Sequence, residues 1–201
     1  MSIVLVGSTS GSITLQEPAV SGTTVLDLPT TSGTVLTSAS SVTRSQLPVG
    51  SVLQVVQGTP KTDTFSTTSG SLTDITGMSV TITPTSASNR ILVQYSIGQL
   101  MPNNSAVYGI ALLRGSTVIG AGATAGVRNL VSTGSITEGD RGGGQFFTFL
   151  DSPVTTSATT YKLQVYVNGG WTLFINRSAT DIDSTVYNRS ASTITVMEIA
   201  T

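Results

Sequence analysis

The chain has 201 residues, nine of them Lys or Arg and ten Asp or Glu, and charged residues make up 9% of it where a soluble domain usually carries about 25%. With no cysteine it has neither a disulfide nor a thiolate metal site, and with no histidine it lacks the commonest general base, imidazole metal ligand and neutral-pH switch. A net charge of −1 with no basic cluster argues against nucleic acid as a partner.

Ser, Thr and Gly take the places that Lys and Glu usually fill, which disfavours helices. Hydrophobic residues still make up 38% of the chain and the mean hydropathy is +0.25, enough burial to fold rather than stay disordered. Strands with so few charges on their edges invite pairing with other chains, so oligomerisation is expected. No apolar run approaches the roughly 20 residues of a membrane-crossing helix. The start, Met1-Ser2-Ile3-Val4-Leu5-Val6-Gly7, lacks the charged and long apolar regions of a signal peptide, so cytoplasmic synthesis with a retained N-terminus and no membrane partner is expected.

The first 45 residues repeat with a period of 11. Ser10-Gly11, Ser21-Gly22 and Ser32-Gly33 recur at that spacing, as do Pro18 and Pro29. After each glycine come β-favouring residues, as in Gly11-Ser12-Ile13-Thr14-Leu15 and Gly22-Thr23-Thr24-Val25-Leu26. Strands this short need lateral neighbours, so the segment reads as an arm or stalk whose apolar Ile13, Leu15, Leu26, Leu28 and Val35 are candidate anchoring residues. Gln46-Leu47-Pro48-Val49-Gly50 ends it, placing an arm at 1–47 and a main domain at 48–201.

Beyond residue 48 the recurring signal is period-2 alternation. Strands are expected at 51–57, 65–68 or 71–76, 79–83, 91–97, 107–113, 145–150, 161–167, 170–175 and 193–199. Ile91, Val93, Tyr95 and Ile97 share one face; so do Tyr161, Leu163, Val165 and Val167, with Lys162, Gln164 and Tyr166 opposite. Turn signals such as Pro102-Asn103-Asn104, Arg114-Gly115-Ser116 and Asn168-Gly169-Gly170 punctuate these runs. The pattern predicts an all-β protein, a jelly-roll-like antiparallel β-sandwich, with a long irregular loop at 121–144 for function or subunit contact.

Chemistry-bearing constellations are sparse. The carboxylate pairs Glu138 with Asp140 and Asp181 with Asp183 raise glycoside hydrolysis, but the first lies in a Gly-rich loop with no supporting shell, so no catalytic residue is assigned. Asp181 and Asp183 offer oxygen to a hard cation, yet two ligands do not make a site, and no metal or other cofactor is expected. Gly142-Gly143-Gly144 lacks the strand, Lys and helix of a phosphate cradle, and a serine nucleophile activated by lysine would have only Lys61 or Lys162, neither within a motif. Asn-Arg-Ser-Ala occurs at 176–179 and 188–191, flanking Asp181 and Asp183, a spacing that suits Arg–carboxylate pairing within a hairpin or across subunits. Trp171, Tyr108 and Tyr166 are candidate stacking residues for a glycan; for Trp171 the competing reading is a core residue beside Leu173 and Ile175.

The segment from Gly11 to Pro29, GSITLQEPAVSGTTVLDLP, resembles the repeat of many tailed-bacteriophage virion and fibre proteins. So does LPVGSVLQVVQ from Leu47 to Gln57, while Phe174-Ile175-Asn176-Arg177-Ser178 and Ser192-Thr193-Ile194-Thr195-Val196-Met197-Glu198-Ile199 are similar to the closing strands of small phage and cyanophage structural proteins. The resemblance implies a non-enzymatic homotrimer with an N-terminal attachment arm and an outward sandwich, located in the virion after assembly in the host bacterial cytoplasm. Its expected partners are other virion proteins of capsid or tail. The expected role is head decoration or a short fibre, with a receptor- or glycan-binding tail-fibre adhesin as the alternative.

Overall fold

The computed structural model describes residues 2–6, 12–16, 30, 41–137 and 141–201. Two units are distinguished, Met1–Val42 and Thr43–Thr201. In the first, β1 (Ser2–Val6) pairs antiparallel with β2 (Ser12–Gln16), Ile3 opposite Leu15 and Leu5 opposite Ile13. The repeat's first predicted strand is therefore present as β2, with β1 as its partner. Leu26, Leu28 and Val35 lie outside the described residues, as do Glu138 and Asp140.

The second unit is all-β, with one 3-10 turn at Arg44–Gln46 and no α-helix among its described residues. Its strands are β3 (Val52–Gln57), β4 (Phe65–Thr67), β5 (Thr73–Ile82), β6 (Arg90–Pro102), β7 (Ala106–Arg114), β8 (Thr117–Ile119), β9 (Thr133–Thr137), β10 (Gly143–Asp151), β11 (Thr159–Val167), β12 (Leu173–Ile175) and β13 (Thr193–Ile199). All pairings are antiparallel.

The first sheet is organised by the long strand β6. Leu100 is paired both by Gly143 of β10 and by Ile175 of β12, so those two strands flank β6 on opposite sides. β10 runs along one side; β13 and β12 follow one another along the other, continued by β3 and β4. The second sheet runs β5-β11-β7, with β8 and β9 both on the far side of β7.

The two sheets face each other across one core. Ile91, Val93, Tyr95 and Ile97 of β6 point inward with Ile194 and Val196 of β13, and meet Tyr161, Leu163, Val165 and Val167 of β11, all 5% exposed or less. Both alternating sets read from the sequence therefore line the core. β7 departs from alternation: Ile110, Ala111, Leu112 and Leu113 are all buried, because the segment before β9 covers its outer face. Ser132 donates its N–H to the Ile110 carbonyl and its Oγ accepts from the Leu112 N–H, and Val131 sits where Gly109 has no side chain.

Three sequence expectations are corrected. The stretch 121–144 is not one loop: it contains β9 and the start of β10, whose glycines Gly134, Gly143 and Gly144 carry little strand propensity and were recruited by pairing with β7 and β6. The runs at 71–76 and 79–83 are one strand, β5, joined through a bulge at Gly77 (φ +83) that lets Ile75 and Met78 both point into the core. The strand expected at 170–175 is only β12, since Gly169 and Gly170 take positive φ and turn the chain before it.

Candidate assembly surface

An outer sheet face normally carries polar side chains. The second sheet obeys this: on its outer face Lys162 Nζ and Gln164 Nε2 both donate to Asp74, at 2.8 and 2.7 Å, and the Thr81 and Thr160 hydroxyls meet at 2.8 Å. The hydrogen bond and charge of Lys162 help hold the Asp74 carboxyl below its usual value.

The outer face of the first sheet differs. Leu150 of β10 is opposite Leu92 of β6, Leu92 opposite Met197 of β13, and Met197 opposite Val55 of β3, so four apolar side chains form one row across four strands. Ile199 and Val52 add a second pair beside it. Val55, Val52 and Leu150 are 58%, 49% and 40% exposed. A polar row, Thr148, Gln94, Thr195 and Gln57, separates this stripe from Phe146, which is 80% exposed.

The edges add to this. Among the described residues β10 has β6 as its one strand partner, so a nine-residue backbone edge is left unpaired. β5 is also a long edge, but its bulge and its Asp74–Lys162 pair protect it in the usual way. β10 has neither Pro nor a charge from 143 to 150, and it bears Phe146. An edge of that kind is a template for another chain.

Two buried polar clusters hold the ends of these strands. Glu198, fully buried on β13, accepts from Gln54 Nε2 of β3 (2.6 Å), the Thr85 N–H (2.6 Å) and hydroxyl (2.8 Å), and Asn89 Nδ2 (2.7 Å). Burial opposes its charge, but these bonds outweigh burial and keep the carboxyl below its usual value. Asp151, at the end of β10 and 5% exposed, accepts from Arg114 Nη1 at 2.8 and 2.9 Å and from the Tyr161 hydroxyl at 2.7 Å, tying β10 to β7 and β11. Burial drives the Tyr161 hydroxyl strongly upward, reinforced by Asp151, and pushes Tyr95 up to about 12 and Tyr108 in the same direction. Because these folded values lie above the ordinary 10, their contribution to stability is fully present below pH 10 and lost as pH rises further. An alkaline absorbance titration should therefore show these three phenols ionising only together with unfolding.

The remaining sequence candidates fall as follows. Ile13 and Leu15 lie in β2, paired with Leu5 and Ile3. Tyr108 is 2% exposed and faces the core, which removes it as a glycan contact, and Tyr166 is half-buried with its ring over Gly109. Trp171 is not the core residue its position beside Leu173 and Ile175 suggested: it precedes β12 and is 37% exposed, while those two are fully buried. Asp181 is paired within the chain by both flanking repeats, Arg177 at 3.4 Å and Arg189 at 2.6 Å. Among the described residues no group of three or more Asp or Glu is placed to hold a metal ion. The outer-face stripe was missed from sequence because it joins residues from four strands whose neighbours period-2 patterns do not specify.

Comparison with protein-family models finds no match to this chain, and no curated protein matches it significantly.

Proposed function

We propose that this chain is a non-enzymatic assembly subunit, a homotrimeric surface protein of a tailed-phage particle serving as head decoration or short fibre, with its N-terminal segment as the attachment arm. The observation that carries the assembly reading is the apolar stripe of the first sheet lying beside the edge of β10, which is unpaired among the described residues and uncharged from 143 to 150. Such a combination is a liability in a solitary protein and an interface in an oligomer. The phage origin and the trimer rest on the resemblance of the repeat and of the closing strands.

The strand order supports a jelly roll. The sets β3-β13-β6-β10 and β5-β11-β7 with β8 and β9 are filled alternately: β5, β6 and β7 switch sheets at each step, and so do β9, β10 and β11. Two Greek keys rolled together produce that alternation.

The test is the oligomeric state of the full chain by light scattering coupled to gel filtration. A trimer is expected at low micromolar concentration. The double substitution Val55→Lys with Phe146→Lys, both at exposed positions and so tolerated by the fold, should give a monomer with unchanged circular dichroism. A wild-type monomer would refute the assembly role, and a trimer indifferent to both lysines would place the interface elsewhere. Deleting residues 1–45 should leave a trimer that no longer attaches to particles; normal attachment would end the anchoring role.

A further inference from the structure

The four-strand row β10-β6-β13-β3 of the first sheet has two free ends among the described residues, β10 on one side and β3 on the other. Both are open in the same chemical sense: Val52–Gln57 holds neither Pro nor charge, like 143–150 of β10. Each strand is antiparallel to its neighbour, and because the row has an even number of strands, β3 runs opposite to β10. A second copy brought to β3 by rotation about an axis along the strands therefore offers its β10 in the antiparallel sense.

The backbone phase agrees. Gly58 donates its N–H to the Ile194 carbonyl, so Val56 and Gln54 face β13 in the same way, and Val55 and Gln57 turn their N–H and C=O groups to the free edge. Carried through the pairings of β13 with β6 and of β6 with β10, the alternation leaves Thr148 and Leu150 turned to the free edge of β10. The side chains then select the register. With Val55 opposite Leu150 of the next copy, the apolar row from Leu150 to Val55 runs on into its own beginning, and the polar row from Thr148 to Gln57 does likewise. A slip of two residues would set Val55 against Thr148 and Gln57 against Phe146. In the matched register Phe146 meets the exposed Thr59, beside Pro60. Further along, the edge is continued by Lys61, bridged to Ser192, and by β4. There the antiparallel direction brings Arg141, exposed and in no ion pair among the described residues, to the level of Asp63, whose side chain is 76% exposed.

We propose that the subunits join edge to unlike edge: β10 of one copy adds to β3 of the next, Leu150 opposite Val55 and Thr148 opposite Gln57, and three such joints close a ring. The second sheets then lie outside, so the outer face of the first sheet turns toward the common axis and its apolar stripe is covered. The inference rests on the assembly reading and adds which edge each copy meets. Pairing of β10 with β10 of a second copy has two-fold symmetry, would stop at a dimer, and would leave the β3 edge and Val55 uncovered.

The chain has no cysteine, so introduced pairs report alone. The Cα atoms of a hydrogen-bonded antiparallel pair lie about 5.5 Å apart, within the roughly 4.4–6.8 Å that a disulfide spans. The full chain carrying Val55→Cys with Leu150→Cys, or Gln57→Cys with Thr148→Cys, is to be oxidised mildly and run on a denaturing gel without reductant. Each double variant should give covalent trimers, and each single variant only monomers. Covalent dimers from Thr148→Cys or Leu150→Cys alone, the mark of β10 against β10, would overturn the proposal. So would a wild-type trimer, seen by light scattering, that neither double variant cross-links; the assembly reading would survive that result, whereas a wild-type monomer would end both. Arg141→Glu supplies a check that needs no cysteine. It should raise the concentration at which the trimer dissociates about fivefold at low salt and less at high salt, and an unchanged value at both would overturn the pairing.

Discussion

Replacing Glu198 with alanine is expected to lower the stability of the sandwich by about 3 kcal/mol, the cost of stranding several buried donors at once. The carboxylate joins three separate parts of the chain: Gln54 on β3, Thr85 and Asn89 between β5 and β6, and β13 itself. Gln54 keeps a second acceptor in the Thr83 carbonyl, but the Thr85 N–H loses its one bonded acceptor here and Asn89 Nδ2 is left only the 3.4 Å contact to the Thr85 hydroxyl. Glu198→Gln retains a single carbonyl and turns its NH2 toward other donors, so an intermediate loss of about 1–2 kcal/mol is expected. Urea titrations should show the midpoint falling in that order at unchanged slope, the signature of lost stability without a changed unfolded state.

The same residue makes acid sensitivity predictable in sign. Its folded value lies below the usual 4.5, so its contribution is fully present above that value and is lost as pH falls through the folded value. The alanine variant, already lacking the contribution, should lose less stability than the parent between neutral pH and the acid range. An equal loss in both proteins would mean that Glu198 is not the group responsible.

Arg114→Ala should be comparably damaging, by about 3 kcal/mol, because it leaves a buried carboxylate without its cation. Asp151 would then have only the Tyr161 hydroxyl, and the Arg114 bridge from Asp151 to the Ser152 carbonyl would also be lost. The Arg114 side chain is 31% exposed, so water can enter the vacated space and keep the loss at the lower end of the range for buried pairs. In a double-mutant cycle with Asp151→Ala, the second substitution should cost less in the Arg114→Ala background than alone. Additive losses would show the pair to be uncoupled. Since Asp151 ends β10, the variant should also loosen the edge on which assembly is proposed to rest, and weakened association should accompany the fall in stability.

Much of the fold was legible before any coordinates. An inward face repeats every second residue, so 91–97 and 161–167 declare themselves as strands, and both contribute fully buried residues to the core. β9 and the start of β10 were not legible, since a run such as Thr133-Gly134-Ser135 has no apolar period and becomes a strand only because β7 pairs with it. Exposure was equally hidden for the aromatics. Tyr108 and Trp171 look interchangeable in sequence, but one points into the core from β7 and the other is held outward by two glycines of positive φ.

The sequence by itself determined that this is an all-β chain, because a scarcity of charge, an abundance of Ser, Thr and Gly and a period of two suit strands and not helices. It also removed histidine and cysteine chemistry outright. Only the tertiary structure decided which strands are neighbours, and with that the apolar row from Leu150 to Val55 and, among the described residues, the free edge of β10. The reason is physical: alternation tells each side chain which face it occupies, whereas a surface site is made by residues distant in sequence, brought side by side by hydrogen bonds between backbones that carry no sequence information.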